Sequence, residues 1–268
     1  MTVAAMPSLP QLLLTRPQAL AERLLPALQA AGLQGLILPA IEILPPPQPA
    51  LLLQTLEHYR ESDGPQALAI FVSPSAVLQV AAVLAGRGWP KGLALAAVGQ
   101  GTAALLRECS GRAVLAPADG GDGAALLALP EMQSLAQRTV LLCRGQRGRE
   151  SLVQGLRAAG AQLEVLCCYA RVCPQLDALV LQRLQHSLSA EAGDARLIAW
   201  VLGSAEAANN LQRLLPDQGR CLAALPVFVP HARVAQVARE CGWLHPRIYA
   251  GGDVALLQAV QAWRGYNA

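Results

Sequence analysis

The chain has 268 residues, 53% of them hydrophobic and 15% charged, with a formal net charge of +3. That length accommodates one large domain or two ordinary ones, and that composition excludes an intrinsically disordered polymer. Aromatic content of 4% and the lack of a Lys/Arg cluster argue against a nucleic-acid surface, and no apolar run approaches the roughly 20 residues that span a bilayer. Seven cysteines give no even disulfide framework, which suits a reducing compartment. The opening "MTVAAMPSLPQLLLTRP" lacks the basic start and the apolar length of a secretory signal, so a cytoplasmic location is expected.

Short apolar runs alternate with Ala/Leu-rich helical stretches along the whole chain, which predicts an α/β protein with mainly parallel strands. "QLLLTR" (11–16) reads as a strand, and "PQALAERLLPALQAAG" as one helix with Pro17 near its start and Gly32 past its end. "GLILPAIEIL" (35–44) reads as a second strand, stopped by Pro45, Pro46 and Pro47. "ALAIFVSPSAV" is a strand leading to a helix start at Ser73 or Ser75, and "ALAAVGQGTAALLREC" is a further strand, turn and helix. "RTVLLCRGQRGRESLVQGLRAAG" repeats the theme and leads to the strand "LEVLCCYARVCP". "RLIAWVLGSAEAANNLQRLL", "ALPVFVPHARVAQVARECG" and "PRIYAGGDVALLQAVQAW" supply the last units.

The halves resemble each other. Arg16 precedes Gly32 by the same 16 residues that separate Arg144 from Gly160, and Ser73 precedes Gly99 by the same 26 that separate Ser204 from Pro230. In this register Arg233 falls opposite Thr102, and Tyr169 falls opposite Ile41. Two similarly built lobes follow, with two strands that run into prolines as crossings between them. The expected division is a discontinuous lobe of residues 1–42 and 173–268, a second lobe of 46–167, and connecting strands at 43–45 and 168–172.

Cys167, Cys168 and Cys173 have no Cys-x-x-Cys spacing and the four histidines are scattered, so buried apolar sulfur is the reading and no metal is expected. Gly99, Gly101 and Ala104 spell the turn of a dinucleotide-binding unit. However, it stands several strands into the chain, without an acidic residue at the end of the next strand; Asp119 and Asp122 fall in a Gly-rich loop. The same turn also fits a helix N-terminus that offers N–H groups and the Thr102 hydroxyl to an anion, or a plain turn capped by Thr102. Thr15-Arg16, Ser73-Pro74-Ser75, Arg144-Gly145 and Gly203-Ser204 stand at the other strand ends, where parallel sheets bind ligands. With Arg147 and Arg149 they form a donor-rich edge suited to a polycarboxylate. No Ser-His-Asp arrangement and no paired acids stand at these ends, so carboxylate general acid–base chemistry is not expected. Tyr169 is either a core tyrosine with its hydroxyl at the rim or a proton donor to a leaving oxygen.

The segments "LLLTRPQALAERLLPALQAAG", "AIFVSPSAV", "AVGQGTAALL", "LLCRGQRGRESLVQGLRAAGAQLEVLCCYAR" and "GGDVALLQAV", in this order over nearly the whole chain, resemble the uroporphyrinogen-III synthase family. The resemblance implies two α/β lobes joined by a two-stranded connection, with the active site in the inter-lobe cleft. It implies a cofactor-free cyclising lyase of tetrapyrrole and heme biosynthesis. Hydroxymethylbilane, a linear tetrapyrrole with eight carboxylates, would lose its terminal hydroxyl as water, invert its last pyrrole ring through a spiro intermediate, and close to uroporphyrinogen III. By motif, Tyr169 would assist departure of the hydroxyl. Ser73, Gly99 and Thr102 would hold carboxylates from one lobe, and Arg16, Arg144, Gly145 and Ser204 would do so at the other strand ends. Gly203-Ser204 stands where many members carry a Thr/Ser-Ser pair, and "VPHARVA" replaces a Gly-Pro-x-Thr turn, which removes the family's warrant for a ligand role at Pro230 and His231. The expected partners are the small-molecule substrate and, transiently, the preceding deaminase, with the chain itself a monomer. Two other classes share parts of these features: a non-enzymatic two-lobe binding module, and a nicotinamide-dependent oxidoreductase built on the Gly99 turn.

Overall fold

Strands form where short apolar runs are bounded by glycine, proline or hydroxyl residues, and most are buried on both faces, as parallel strands covered by helices must be. The computed structural model describes residues 9–61, 64–118, 121–148, 150–189, 197–216 and 225–266. By their contacts these fall into two compact units, 1–42 with 172–268, and 43–171. The first unit opens with β1 (Gln11–Leu14), α1 (Gln18–Glu22), α2 (Leu25–Ala30) and β2 (Gln34–Ile37). The second holds β3 (Glu42–Leu44), α3 (Pro49–Glu57), β4 (Ala67–Phe71), α4 (Pro74–Leu84), β5 (Leu93–Ala97) and α5 (Gln100–Ser110). It continues with α6 (Gly123–Leu127), a 3-10 turn at Pro130–Met132, β6 (Thr139–Gly145), α7 (Glu150–Ala158) and β7 (Gln162–Val172). The chain then re-enters the first unit with α8 (Ala178–Ser189), β8 (Leu197–Val201), α9 (Ala205–Leu214), β9 (Val227–Val229), α10 (Ala232–Glu240), β10 (Pro246–Ile248) and α11 (Asp253–Tyr266).

The two sheets run β10-β9-β8-β1-β2 and β3-β7-β6-β4-β5. The pairings of β1 with β2 and β8, of β9 with β8 and β10, of β4 with β5 and β6, and of β6 with β7 are all parallel. Read from β2 and from β7, the sheets share one plan: β2-β1-β8-β9-β10 matches β7-β6-β4-β5, with Leu115 bridging Ala96 in parallel where β10 would stand. The β1-to-β2 crossover corresponds to that from β6 to β7, and the β8–β9 pair to β4–β5, as the repeat in the sequence implied. The chain simply meets these pieces in a different order in each unit.

Gly32 and Gly160 stop their helices in the same way, at φ +68° and +88°. In each, the glycine N–H bonds the carbonyl three residues back and the next N–H bonds the carbonyl five back (Gly32 to Gln29 and Leu33 to Leu28; Gly160 to Arg157 and Ala161 to Leu156). These bonds satisfy helix-end carbonyls, and the left-handed backbone makes glycine the suitable residue.

Three details depart from the sequence reading. The helix expected over 17–32 is two pieces, because Pro26 has no N–H to give the Glu22 carbonyl at which α1 ends. "GLILPAIEIL" is likewise two strands in two different sheets: Leu38 and Ala40 still bond β1 and Thr15, but Pro39 interrupts the ladder before β3 begins. Thirdly, the repeat register slips by one residue in its last turn. The N-cap positions are Ser73 and Gly99 in one unit and Ser204 and His231 in the other, so His231 rather than Pro230 corresponds to Gly99. Thr102 then corresponds to Val234, not Arg233.

Each unit has its own core. Leu12, Leu14, Leu28, Val201, Phe228, Leu256 and Val260 meet in the first, and Ile70, Leu126, Leu142, Val153 and Leu156 in the second. Burial of each such leucine contributes about 1.5–3 kcal/mol. Leu142→Ala is expected to destabilise the second unit by about 2–5 kcal/mol, measured as a lowered denaturant midpoint; a change below about 1 kcal/mol would contradict this packing.

Candidate active site

β7 pairs with β6 in regular register from Gln162 opposite Thr139 to Cys167 opposite Arg144, and then skips a residue so that Tyr169 faces Gly145. Cys168 is the extra residue of this bulge. Regular alternation would bury every second side chain, yet Cys168 and Tyr169 are both buried. Bulges re-aim side chains in this way. The Tyr169 ring lies against Gly145, where an added Cβ would come within 2.8 Å of Cε2 and Cζ. A side chain at 145 would therefore displace the ring. The Gln146 N–H donates to the Tyr169 carbonyl at 2.8 Å and locks the strand beyond the bulge.

So placed, the Tyr169 hydroxyl shares a 2.9 Å hydrogen bond with the Ser73 hydroxyl. Arg171 Nη2 donates to the Tyr169 oxygen at 3.3 Å, and its guanidinium carbon lies 5.6 Å from the ring centroid. Ser73 closes β4 as the N-cap of α4, with extended backbone, Pro74 at the first helical position, and its Oγ accepting the Ala76 N–H at 3.3 Å. Four of the expected residues, Ser73, Arg144, Gly145 and Tyr169, thus stand at adjacent strand ends of one sheet. Arg171 enters the site although the sequence analysis assigned it no role; its i, i+2 spacing from Tyr169 on a strand was the available signal.

Gly99 caps α5 without a side-chain bond. A Cβ there would lie 2.9 Å from the Gly121 Cα, so the close approach that its lack of a side chain permits is taken by the protein's own backbone. Thr102 is not the cap. It is the third residue of α5 and is buried, which leaves the first N–H groups of the helix as the donors at this turn. Asp122 caps α6 through a bond to the Ala125 N–H, and Asp119 lies outside the described residues.

Both expected carboxylate-binding arginines already hold a carboxylate. Arg144 Nη1 and Nη2 each donate to Glu150 Oε1 at 3.1 Å, and Arg16 Nη1 donates to Asp253 Oδ1 at 2.7 Å. In each pair the acid opens a helix, α7 or α11, where the helix dipole favours it. The arginines are largely covered while the acids are about half exposed or more, so each pair stabilises by about 0–1 kcal/mol. Near Arg16, burial pushes the Tyr249 phenol above its ordinary pKa against the opposing charge of the guanidinium. Asp253 and Tyr249 were not foreseen. Ser204 caps α9 through the Ala207 N–H at 3.2 Å. Arg147 is exposed, and Arg149 lies outside the described residues.

The sulfur-rich strand is mostly inert filling. Cys143 and Cys168 are buried, and a hydrogen bond from the Cys143 thiol to the Cys168 sulfur together with burial pushes the Cys143 thiol well above its usual range, away from the reactive thiolate. Cys167 is half-buried; Cys173, expected to be buried, is exposed just past the strand end. Among the described residues no three His, Cys, Asp or Glu side chains converge on a point that could hold a metal ion, and no helix is long and apolar enough to cross a membrane.

Comparison with known proteins bears on the whole chain. Residues 22–248 match the family described as uroporphyrinogen-III synthase HemD. The chain is 32% identical over 255 residues to the uroporphyrinogen-III synthase of Salmonella typhimurium, covering 93% of this chain and 99% of that one. It is 31% identical to that of Escherichia coli over the same span and coverage. Its fold is similar to the solved uroporphyrinogen-III synthetase of Helicobacter pylori (TM-score 0.55, 15% identity, 95% of this chain and 100% of that one). It is also similar to a mutant uroporphyrinogen III synthase of Thermus thermophilus (TM-score 0.53, 16% identity, 96% and 98%). The family match over most of the chain and the near-full-length identity to two synthases agree with the paired α/β units and their strand-end hydroxyls: the chain belongs to the uroporphyrinogen-III synthase family.

Proposed function

We propose that the protein is a uroporphyrinogen-III synthase: it converts hydroxymethylbilane to uroporphyrinogen III, with loss of water and inversion of the terminal pyrrole ring. The observation that carries the reading within the family is the Tyr169–Ser73 hydroxyl pair, held over Gly145 at the carboxyl ends of β4, β6 and β7. The pyrrole nitrogen lone pair expels the hydroxyl of the substrate, and a proton from this pair turns the departing oxygen into water. The resulting cationic carbon is attacked within the same molecule, the ring inverts through a spiro intermediate, and the last pyrrole gives up a proton that restores the donor.

The substrate's flexibility sets the main task. Closure without inversion is the intrinsic course of the bilane, so the protein must hold the chain in the one geometry that leads to the type III isomer. Eight carboxylates provide the handles. The N–H groups that open α4 at Ser73 and α5 at Gly99 and Thr102, and the Arg144–Gly145 strand end, are assigned to some of them; Arg16 and Ser204 in the first unit are assigned to others. A substrate carboxylate at Arg144 or Arg16 competes with Glu150 or Asp253, which is feasible because those pairs are worth so little. The enzyme acts as a cytoplasmic monomer on a small molecule delivered by the preceding deaminase.

Incubation of the protein with freshly made hydroxymethylbilane, followed by oxidation and separation of the porphyrin isomers, tests the reading. Type III product is expected, and type I product alone at high protein concentration would contradict it. Tyr169→Phe is expected to slow turnover about 5- to 150-fold, the equivalent of about 1–3 kcal/mol of barrier; wild-type turnover would remove Tyr169 from the chemistry. Gly145→Ala, which drives a methyl group into the Tyr169 ring, is expected to lower turnover at least as far while the circular dichroism spectrum stays native. Turnover is expected to survive exhaustive chelation and to need no nicotinamide. A metal-restored loss would require a different mechanism.

A further inference from the structure

The hydrogen bonds around Tyr169 bear on which proton reaches the substrate. Either oxygen of the 2.9 Å Tyr169–Ser73 contact can donate, and since the phenol oxygen already accepts from Arg171, the arrangement adopted has the phenol O–H donate to Ser73. Ser73 Oγ then accepts twice, from Tyr169 and from the Ala76 N–H, and its own proton has no acceptor among the described residues. Exposure gives the same direction: Tyr169 is only 2% exposed, whereas Ser73 is half-buried and Arg171 is exposed. The opposite arrangement would leave the free proton on the buried oxygen.

Resting on the synthase reading above, we infer that Ser73 hands the proton to the departing hydroxyl, with Tyr169 behind it as the proton source and Arg171 as the positioning charge. The Ser73 O–H bond breaks toward the leaving oxygen as the substrate C–O bond breaks, forming water. The Tyr169 proton moves to Ser73 Oγ in the same event, and the negative charge on the phenol oxygen is met by the Arg171 N–H. The proton released from the last pyrrole returns through Ser73 to Tyr169, so the cycle closes with atoms and charge balanced. The family resemblance implies a carboxylate-holding role for Ser73; in this relay its hydroxyl lies in the proton path.

Ser73 also caps α4, so the test needs a variant that removes the hydroxyl but keeps the helix. Glycine serves, because it replaces a capping serine at a cost of only a few tenths of a kcal/mol. Turnover and KM for hydroxymethylbilane are measured for wild type, Ser73→Thr, Ser73→Gly, Tyr169→Phe, the Ser73→Gly/Tyr169→Phe double variant, Arg171→Lys and Arg171→Gln. The relay predicts that Ser73→Thr stays within about threefold of wild-type kcat, while Ser73→Gly and Tyr169→Phe each lose about fivefold or more. The double variant should be no slower than the slower single one, with KM within about twofold throughout. Arg171→Gln should lose turnover that Arg171→Lys partly recovers. Multiplicative losses in the double variant, or a raised KM with wild-type kcat in Ser73→Gly, would overturn the relay and return Ser73 to carboxylate binding. Wild-type kcat in Tyr169→Phe alone, with Ser73→Gly impaired, would instead overturn the assignment of Tyr169 and the relay with it.

Discussion

The contact of the Tyr169 ring with the bare backbone of Gly145 is the constraint on which the site depends. A parallel ladder without interruption would set Cys168 opposite Gly145 and turn Tyr169 to the other face. One skipped residue reverses this, and the absent Cβ at 145 then leaves room for an aromatic ring where two strands are closest. Once the ring lies there, the reach of the phenol carries its hydroxyl across β6 to the end of β4, where the cap of α4 supplies a serine. Fold, bulge, glycine and cap thus converge on a single hydrogen bond.

This arrangement explains how a protein without paired acids at its strand ends could promote ionisation of a substrate. Its donors are hydroxyls and helix-end amides set by backbone geometry, and they need little reorganisation when charge develops. The two arginines nearest these ends are already matched with Glu150 and Asp253, which keeps them extended in one direction without binding them strongly. Each unit repeats this pairing of a strand-end arginine with a helix-opening acid, and each carries a serine cap two strands' width or less away. Among the described residues the tyrosine–serine hydroxyl pair stands in the second unit, and Ile41 occupies the place of Tyr169 in the first.

Much of this was legible in the residues. Hydrophobic runs of strand length, proline and glycine punctuation, and equal spacings between Arg16 and Gly32 and between Arg144 and Gly160 suffice to place the parallel units and their repeat. What escaped had specific causes. The break of β2 from β3 depends on Pro39, which is tolerable at a strand edge and so does not announce a change of sheet. α3 follows a triple proline that reads as a stop, although Pro49 at its first position was a start signal. The one-residue slip from Pro230 to His231 is invisible to spacing, because Ala-rich helices align equally well in either register. Within the site, Tyr169 and the strand-end serines were identifiable, but the Tyr169–Ser73 hydrogen bond was not, since it depends on a one-residue bulge in β7 and joins residues 96 positions apart. Thr102 illustrates the converse: a threonine after glycine looks like a cap, yet the backbone already turns at Gly99 and buries it inside the helix.

The most direct test of this account is a crystal structure with uroporphyrinogen III bound under reducing conditions. The account predicts product carboxylates on the N–H groups that open α4 and α5, with Ser73 Oγ at hydrogen-bonding distance between the Tyr169 hydroxyl and the side of the macrocycle where ring closure occurred. Product bound away from these strand ends, or Tyr169 turned off Gly145 and Ser73, would contradict it.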